Sequence, residues 1–359
     1  MRKASFSTRV LDWYEQNGRH DLPWQQQRTP YRVWIAEIML QQTQVGTVIP
    51  YYLRFIAAFP DLDTLARAQL DQVLEHWSGL GYYTRARNLH KAARIIELEH
   101  GGQFPQRFEQ VMALPGIGQS TAGAILAQAL NQRHAILDGN VKRVLCRYHS
   151  IEGWPGKMAV QQQLWQLAEQ YTPHHRVDDY TQAIMDLGAT LCTRSSPQCM
   201  ECPLQQDCAA HAQGTVKHYP TPRPKKQLPV KAARLLILTN EHNGSIMLER
   251  RPPSGIWGGL WSLPETDLGE KVAQVCQQRW GLEVLGDEDC RTFRHTFSHY
   301  HLDITPCRIQ VQPGQTGVKE AGEIIWCPSE EATKRALAAP VVRIISQHAQ
   351  NLTPAQRAD

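Results

Sequence analysis

The feature that most constrains this chain is a run of four cysteines, Cys192, Cys199, Cys202 and Cys208, spaced C-x6-C-x2-C-x5-C. Four thiolates on one short loop can converge on a single soft metal centre, and a loop that does so must fold back on itself whatever surrounds it. Pro197 and Pro203 fix φ beside two of the ligands. Zinc sites usually show two close pairs separated by a longer span. This run has one wide gap, one tight pair and one intermediate gap, which favours a 4Fe-4S cluster over zinc. Two disulfides are the remaining alternative, and they require an oxidising compartment. The N-terminal sequence has no apolar core of a signal peptide, and no run of about 18 apolar residues offers a membrane span. The expected location is the cytoplasm. Nine cysteines, an odd number with five scattered singly, fit reduced thiols plus one metal site.

A chain of 359 residues exceeds what one core normally supports, so two domains are expected. Residues 214–234 contain four prolines, six Lys or Arg and no acid, which suits an extended linker. The modest overall charge of +4 therefore hides one basic strap. The strap is either a solvated tether or, beside a DNA-binding domain, a phosphate contact. Before it, segments 30–43, 84–99, 119–130, 140–149, 157–171 and 177–191 carry apolar residues at helical spacing. After it, 234–240 and 245–250 read as a hairpin, 302–311 and 323–327 as strands, and 269–280 and 341–348 as helices. An all-α domain precedes an α+β domain.

The second motif is LPGIGQSTAGAIL, residues 114–126. Pro115, Gly116 and Gly118 make a tight turn that opens a helix, so backbone N–H groups can hold a phosphate without any side chain. This reads as a helix-hairpin-helix, although plain αα-hairpins share the pattern. Asp138 follows, at the start of another helix with Lys142 and Arg143 in its first turn. Asp there is ordinarily an N-cap.

Taken together, L-P-G-x-G-x-x-T-A, Asp138 and the four-cysteine loop resemble the helix-hairpin-helix DNA glycosylase superfamily. LPWQ (22–25), IAEIMLQQTQV (35–45) and GLGYYTRARNL (79–89) are similar, more narrowly, to its MutY branch of adenine DNA glycosylases, and the resemblance spans almost the whole chain. It implies a helical glycosylase domain over 1–213, with the hairpin near 110–130 and the 4Fe-4S loop at 192–208. The linker 214–234 and a Nudix-like α+β domain over 235–359 would follow. The implied activity is hydrolysis of the N-glycosidic bond of adenine mispaired with 8-oxoguanine or guanine in double-stranded DNA. The protein would act as a monomer with no membrane partner.

The residues can be read for that chemistry on their own. Breaking a purine N-glycosidic bond needs an acid for the leaving base and an anion for the oxocarbenium-like sugar. Glu37 is the only acid between Asp21 and Asp61, on an otherwise apolar helix. Desolvation would keep its proton on. A surface or salt-bridged Glu is the plainer alternative, and the resemblance puts the catalytic acid here. Asp138, at a helix N-terminus, is expected to stay ionised and stabilise the cation or capture it covalently. Asn140 matches a position that assists in the pocket, or is only a cap. Lyase relatives carry a Schiff-base Lys in the hairpin's last turn, whereas this chain has Ser120, which implies a monofunctional enzyme and leaves Ser120 itself without a role. Lys142 is open to a phosphate contact or to a slow imine with the opened sugar.

Base extrusion leaves a gap that must be filled. Gln41, Gln42 and Tyr82 match the family's wedge residues, though Gln42 and Tyr82 could be ordinary surface groups. Trp24, Leu40, Val45 and Met185 are implied walls of the adenine pocket, a role compatible with core packing, and Thr43 and Leu80 match positions facing the opposite base. In the distal domain the Nudix hydrolase motif is broken, with Glu265 in place but Gln277 and Gln278 where paired glutamates would hold Mg2+. Residues 293–303 form an aromatic, His-rich hairpin in which Phe297, Ser298 and His299 match the loop that reads 8-oxoguanine; a metal site is the alternative. A nucleotide hydrolase and a non-catalytic lesion binder are the competing functions, opposed by the missing glutamates and by the presence of both Glu37 and Asp138.

Overall fold

The computed structural model describes residues 4–224, 227–314 and 323–351. The chain divides into two compact units, one of Met1–Ala68 and Thr84–Lys225, the other of Gln69–Tyr83 and Lys226–Asp359. The short segment 69–83 thus clusters with the second unit although it lies far into the sequence of the first.

The first unit is helical. Its central helix, Pro30–Leu40, starts with Thr29 as N-cap, whose hydroxyl accepts from the Arg32 amide at 3.3 Å, and with Pro30 at the first position, where a missing N–H costs nothing. Trp34, Ile35 and Met39 are fully buried, and the helix packs against Gln119–Leu130. Truncating one of these buried side chains to Ala costs about 2–5 kcal/mol. The far end of this helix is held by Arg85, whose guanidinium donates to the carbonyls of Ile38 (3.1 Å), Met39 (2.7 Å) and Gln41 (2.5 Å), which have no partners further along the helix. A second cluster joins Phe6–Asn17, Gly139–Tyr148 and Val177–Asp186 through Val10, Leu145, Ile184 and Leu187. The helix expected over 177–191 is α-helical only to Asp186 and continues as a π-helix, Leu187–Leu191. Among the described residues no helix is long and apolar enough to cross a membrane.

Among the described residues, the second unit is built on a mixed eight-stranded sheet: β1 (Val230–Asn240), β2 (Ile246–Arg250), β3 (Trp261–Ser262), β4 (Glu265–Thr266), β5 (Leu282–Asp289), β6 (Phe293–Thr296), β7 (His301–Pro313) and β8 (Ile324–Cys327). The main path runs β3-β2-β1-β7-β5, and β1 and β7 pair in parallel from Val230↔His301 to Asn240↔Val311. The continuous apolar run Leu235–Leu238 suits a strand buried on both faces. Leu236 and Leu238 meet Val275, Cys276 and Trp280 of the helix Val272–Trp280. The basic stretch 214–234 contributes the 3-10 turn Val216–His218 at one end and the first residues of β1 at the other. Lys225 and Lys226 within it lie outside the described residues.

Candidate active site and cluster loop

Glu37 and Asp138 line one cavity of about 780 Å³ in the first unit. Trp24, Leu40, Val45 and Met185 line it too, as do Asn140, Gln41, Gln42 and Thr43. Residues scattered over more than 160 positions of sequence therefore share a single concave space. The Glu37 helix and the helix Gln119–Leu130 supply one carboxylate and its partner: the Gln128 amide nitrogen donates to Glu37 Oε1 at 3.0 Å, leaving the other oxygen available. Burial pushes the Glu37 carboxyl up to about 7; the Gln128 hydrogen bond opposes this and the nearby Asp138 charge reinforces it.

Asp138 caps the helix Gly139–Tyr148. Its Oδ1 accepts from the Val141 amide at 2.8 Å and its Oδ2 from the Asn140 side-chain amide at 2.9 Å, so both oxygens are held in place. The helix terminus by itself favours an ionised Asp138. In the structure the net shift runs upward, because burial outweighs the hydrogen bonds from Val141 and Asn140 and the attraction of Arg143. Asn140 is more than a cap: its Oδ1 accepts from Arg143 Nη2 at 2.8 Å, and Arg143 also donates to the carbonyls of Gly188 (2.6 Å) and Cys192 (2.7 Å). A continuous polar path thus joins Asp138 to the backbone of the first cysteine of the loop. Ser120 also has a contact, with its Oγ accepting from the Leu137 amide at 2.9 Å immediately before Asp138.

Several cavity groups were invisible to sequence reasoning. Arg19 and Gln182 line the space while binding Asp186, whose carboxylate is fully buried: Arg19 donates to both its oxygens, at 2.8 Å from the backbone amide and 2.6 Å from Nη2, and Gln182 donates at 2.7 Å. A buried carboxylate so paired is ordinary polar satisfaction, and no pattern in the sequence marks the 167-residue separation. Lys142 does not line this cavity.

The hairpin forms between the helices Phe108–Met112 and Gln119–Leu130. Gly116 sits at φ +80°, where a Cβ would also lie 2.9 Å from Asn88, so only glycine fits. Gly118 starts the next helix with no side-chain cap, which leaves first-turn N–H groups for an anion. Gln41 donates to the Gly116 carbonyl at 3.4 Å and ties the hairpin to the end of the Glu37 helix. Gln42 is exposed at φ +59°.

The four cysteines surround one small space, with Cys192 Sγ accepting from Arg147 Nη1 at 3.3 Å. Arg147 is buried and also donates to the carbonyls of Thr193, Arg194, Val216 and Tyr219, fastening the loop to the chain that follows it. Among the described residues no three His, Cys, Asp or Glu groups converge closely enough for a single ion. Four thiols spread around a common space suit a multi-iron cluster, in which each sulfur meets a different iron. Burial, opposed by the backbone hydrogen bond at Leu204 and reinforced by the neighbouring cysteines, pushes the Cys202 thiol up to about 12, so a bound cluster must displace its proton. A bound 4Fe-4S cluster would be held by Cys192, Cys199, Cys202 and Cys208 and would cross-link the loop.

In the second unit, Phe297 lies half-buried at the tip of the β6–β7 hairpin, its amide donating to the Tyr300 carbonyl at 2.9 Å. Its ring meets those of His295 (4.6 Å), Tyr300 (4.8 Å) and Trp257 (5.7 Å). Trp257 is a member of this cluster that its isolated place in the sequence concealed. Ser298 and His299 are exposed and hydrogen-bond each other at 3.4 Å. Tyr82 is 51 % exposed, whereas Leu80, matched to a base-facing position, is only 6 % exposed and is packed rather than presented. On the broken hydrolase motif, Glu265 pairs with Arg251 at 2.6 Å.

Comparison with known proteins agrees with this geometry. The HhH-GPD superfamily of base excision DNA repair proteins matches residues 35–170, the iron-sulfur binding domain of endonuclease III matches 192–208, and the NUDIX domain matches 234–347. An adenine DNA glycosylase of Buchnera aphidicola subsp. Acyrthosiphon pisum is 40% identical over 352 residues, covering 98% of this chain and 100% of that one. One from subsp. Schizaphis graminum is 38% identical over 340 residues, covering 95% and 97%. Among solved structures, a thermostable thymine-DNA glycosylase shares 26% identity at a TM-score of 0.52, covering 58% of this chain and 95% of that one. With such identity along its full length, and with the hairpin, cluster loop and Nudix-like unit in order, the chain belongs to the adenine DNA glycosylase family.

Proposed function

We propose that this adenine DNA glycosylase of base excision repair acts on adenine mispaired with 8-oxoguanine or guanine in duplex DNA, and releases it by a monofunctional hydrolysis. The observation that carries the reading is the shared cavity: two carboxyls of raised proton affinity face one space walled by Trp24, Leu40, Val45 and Met185. Adenine turned out of the stack enters this space. Glu37, protonated near neutrality, gives its proton to the leaving base. As the bond stretches, positive charge grows on the sugar, and Asp138, oriented by Val141 and Asn140, stabilises it. The growing positive charge on the sugar favours the anionic form of Asp138.

The hairpin around Gly116 and Gly118 grips backbone phosphate, with Lys142 as a further phosphate contact. Gln41, Gln42 and Tyr82 fill the gap left by the flipped base, and Thr43 faces its partner. Gln42 and Tyr82 both hold left-handed backbone, a strained conformation that side chains rarely adopt without cause. Phe297, Ser298 and His299 read the oxidised base from the second unit. The domain limits that fit this division are 1–213, 214–234 and 235–359, and the protein works as a cytoplasmic monomer on the nucleoid. A glycosylase assay on an A:8-oxoguanine duplex, with and without alkali, tests it: strand cleavage is expected only after alkali, and intact adenine or cleavage without alkali would refute it.

A further inference from the structure

The turn that ends in Tyr82 is held within the second unit, through the buried side chains of Trp77 and Tyr83. Gly79 (φ +92°), Gly81 (φ +76°) and Tyr82 (φ +49°) all adopt left-handed backbone. For Tyr82 this conformation is unfavourable on its own and persists only where surrounding contacts enforce it. The Trp77 indole donates to the Gly81 carbonyl at 3.1 Å. The Tyr83 hydroxyl accepts from the Gly79 amide at 3.2 Å and donates to the Leu337 carbonyl at 2.8 Å. Trp77, Tyr83 and Leu337 are buried. Leu337 in turn belongs to the sheet edge: it bridges Trp261 of β3, and the Trp261 amide donates to the Ala336 carbonyl at 3.0 Å.

The preceding helix, Leu70–Trp77, is tied to the same edge. Arg250 of β2, paired in register with Trp261, binds Asp71 in the helix's first turn, with Nη1 to Oδ2 at 3.0 Å and a second contact from Nη2 to Oδ1. Both ends of the segment therefore rest on β2–β3, while the Tyr82 side chain itself is half exposed. Buried anchors under an exposed ring describe a probe that is presented.

We propose that Tyr83, supported by the Asp71–Arg250 pair, is a positioning residue that seats Tyr82 for entry into DNA, so that the Nudix-like unit sets the wedge as well as reading the lesion. The inference rests on the wedge role assigned to Tyr82. The anchor contributes mainly through the Tyr83 hydroxyl, because Asp71 and Arg250 are 39% and 24% exposed and such pairs are individually weak.

The test uses the full-length protein and an A:8-oxoguanine duplex with 2-aminopurine next to the mispair, whose fluorescence rises when the base unstacks. Tyr82→Ala, Tyr83→Phe and the double variant are compared for fluorescence rise and single-turnover excision. Asp71→Asn serves as an independent variant should Tyr83→Phe be poorly folded. Tyr83→Phe is expected to lower the excision rate about tenfold and to blunt the fluorescence rise, with Asp71→Asn weaker in the same direction. The double variant is expected to be no worse than Tyr82→Ala alone, because Tyr83 acts through Tyr82; a purely structural role would give additive losses. Normal excision by Tyr82→Ala would remove the wedge reading itself. A defective Tyr82→Ala beside an unaffected Tyr83→Phe and Asp71→Asn, or additive losses, would overturn the positioning role alone.

Discussion

The cavity of the first unit and the aromatic hairpin of the second use opposite physics. Around Glu37 and Asp138 the polar groups are desolvated and each has a partner: Gln128 for one carboxyl, Val141 and Asn140 for the other, with Arg143 behind. Burial there raises proton affinity, which is what an acid catalyst needs near neutral pH. At the hairpin, Ser298 and His299 are exposed over a layer of aromatic rings, an arrangement that leaves hydrogen-bonding capacity for something arriving from outside. On the proposed function, one region changes a bond and the other chooses where. The two functions should therefore be separable by mutation, and each prediction tests that separation.

The largest effect belongs to the carboxyls. Glu37→Gln and Asp138→Asn should each slow single-turnover adenine excision by at least about 100-fold while duplex affinity stays nearly unchanged. A comparable loss of affinity would blur the division. Next comes the hairpin: Phe297→Ala with His299→Ala should reduce the preference for A:8-oxoguanine over A:G by a factor on the order of 10, the scale of one good base contact, with A:G excision largely kept. Equal losses on both substrates would mean the hairpin does not discriminate. For the cluster loop, protein purified without oxygen should be yellow-brown with about four irons per chain. Its removal by chelation should lower the melting temperature of the first unit while leaving the second unchanged; one zinc and no iron would contradict this. The smallest effect is expected at Ser120, where Ala removes the acceptor for the Leu137 amide and should cost about 1 kcal/mol of stability, read by denaturant unfolding.

Much of the site could be read from the sequence because the chemistry demands rare residues in conspicuous settings. Glu37 is isolated among apolar neighbours, Asp138 stands at a helix start, and four cysteines crowd one loop. The supporting groups were not legible, since Gln128, Arg19 and Asp186 are common residues whose meaning comes from partners up to 167 positions away. The same locality explains the fold. Hairpins β1–β2 and β6–β7 follow from neighbouring sequence, but the parallel pairing of β1 with β7 joins segments about 70 residues apart and carries no local signal. The place of residues 69–83 in the second unit was hidden for that reason too. The upward shift at Asp138 has a different origin: a helix terminus is visible in sequence, whereas the depth of the cavity around it is not.

The central claim is that a buried, protonated Glu37 drives the cleavage, and the pH dependence of single-turnover excision from an A:8-oxoguanine duplex tests it most directly. Glu37 is raised from 4.5 to about 7, so the native carboxyl keeps its proton where an unfolded one has lost it. Its contribution to stability is thus complete below 4.5 and disappears as pH rises through about 7, and the active acid form disappears over the same upper range. The excision rate should fall about tenfold per pH unit above this point, and Glu37→Gln should abolish that limb, leaving a slow residual rate that does not change there. A wild-type rate that stays flat from pH 6 to 9, or the same break surviving in Glu37→Gln, would contradict the account.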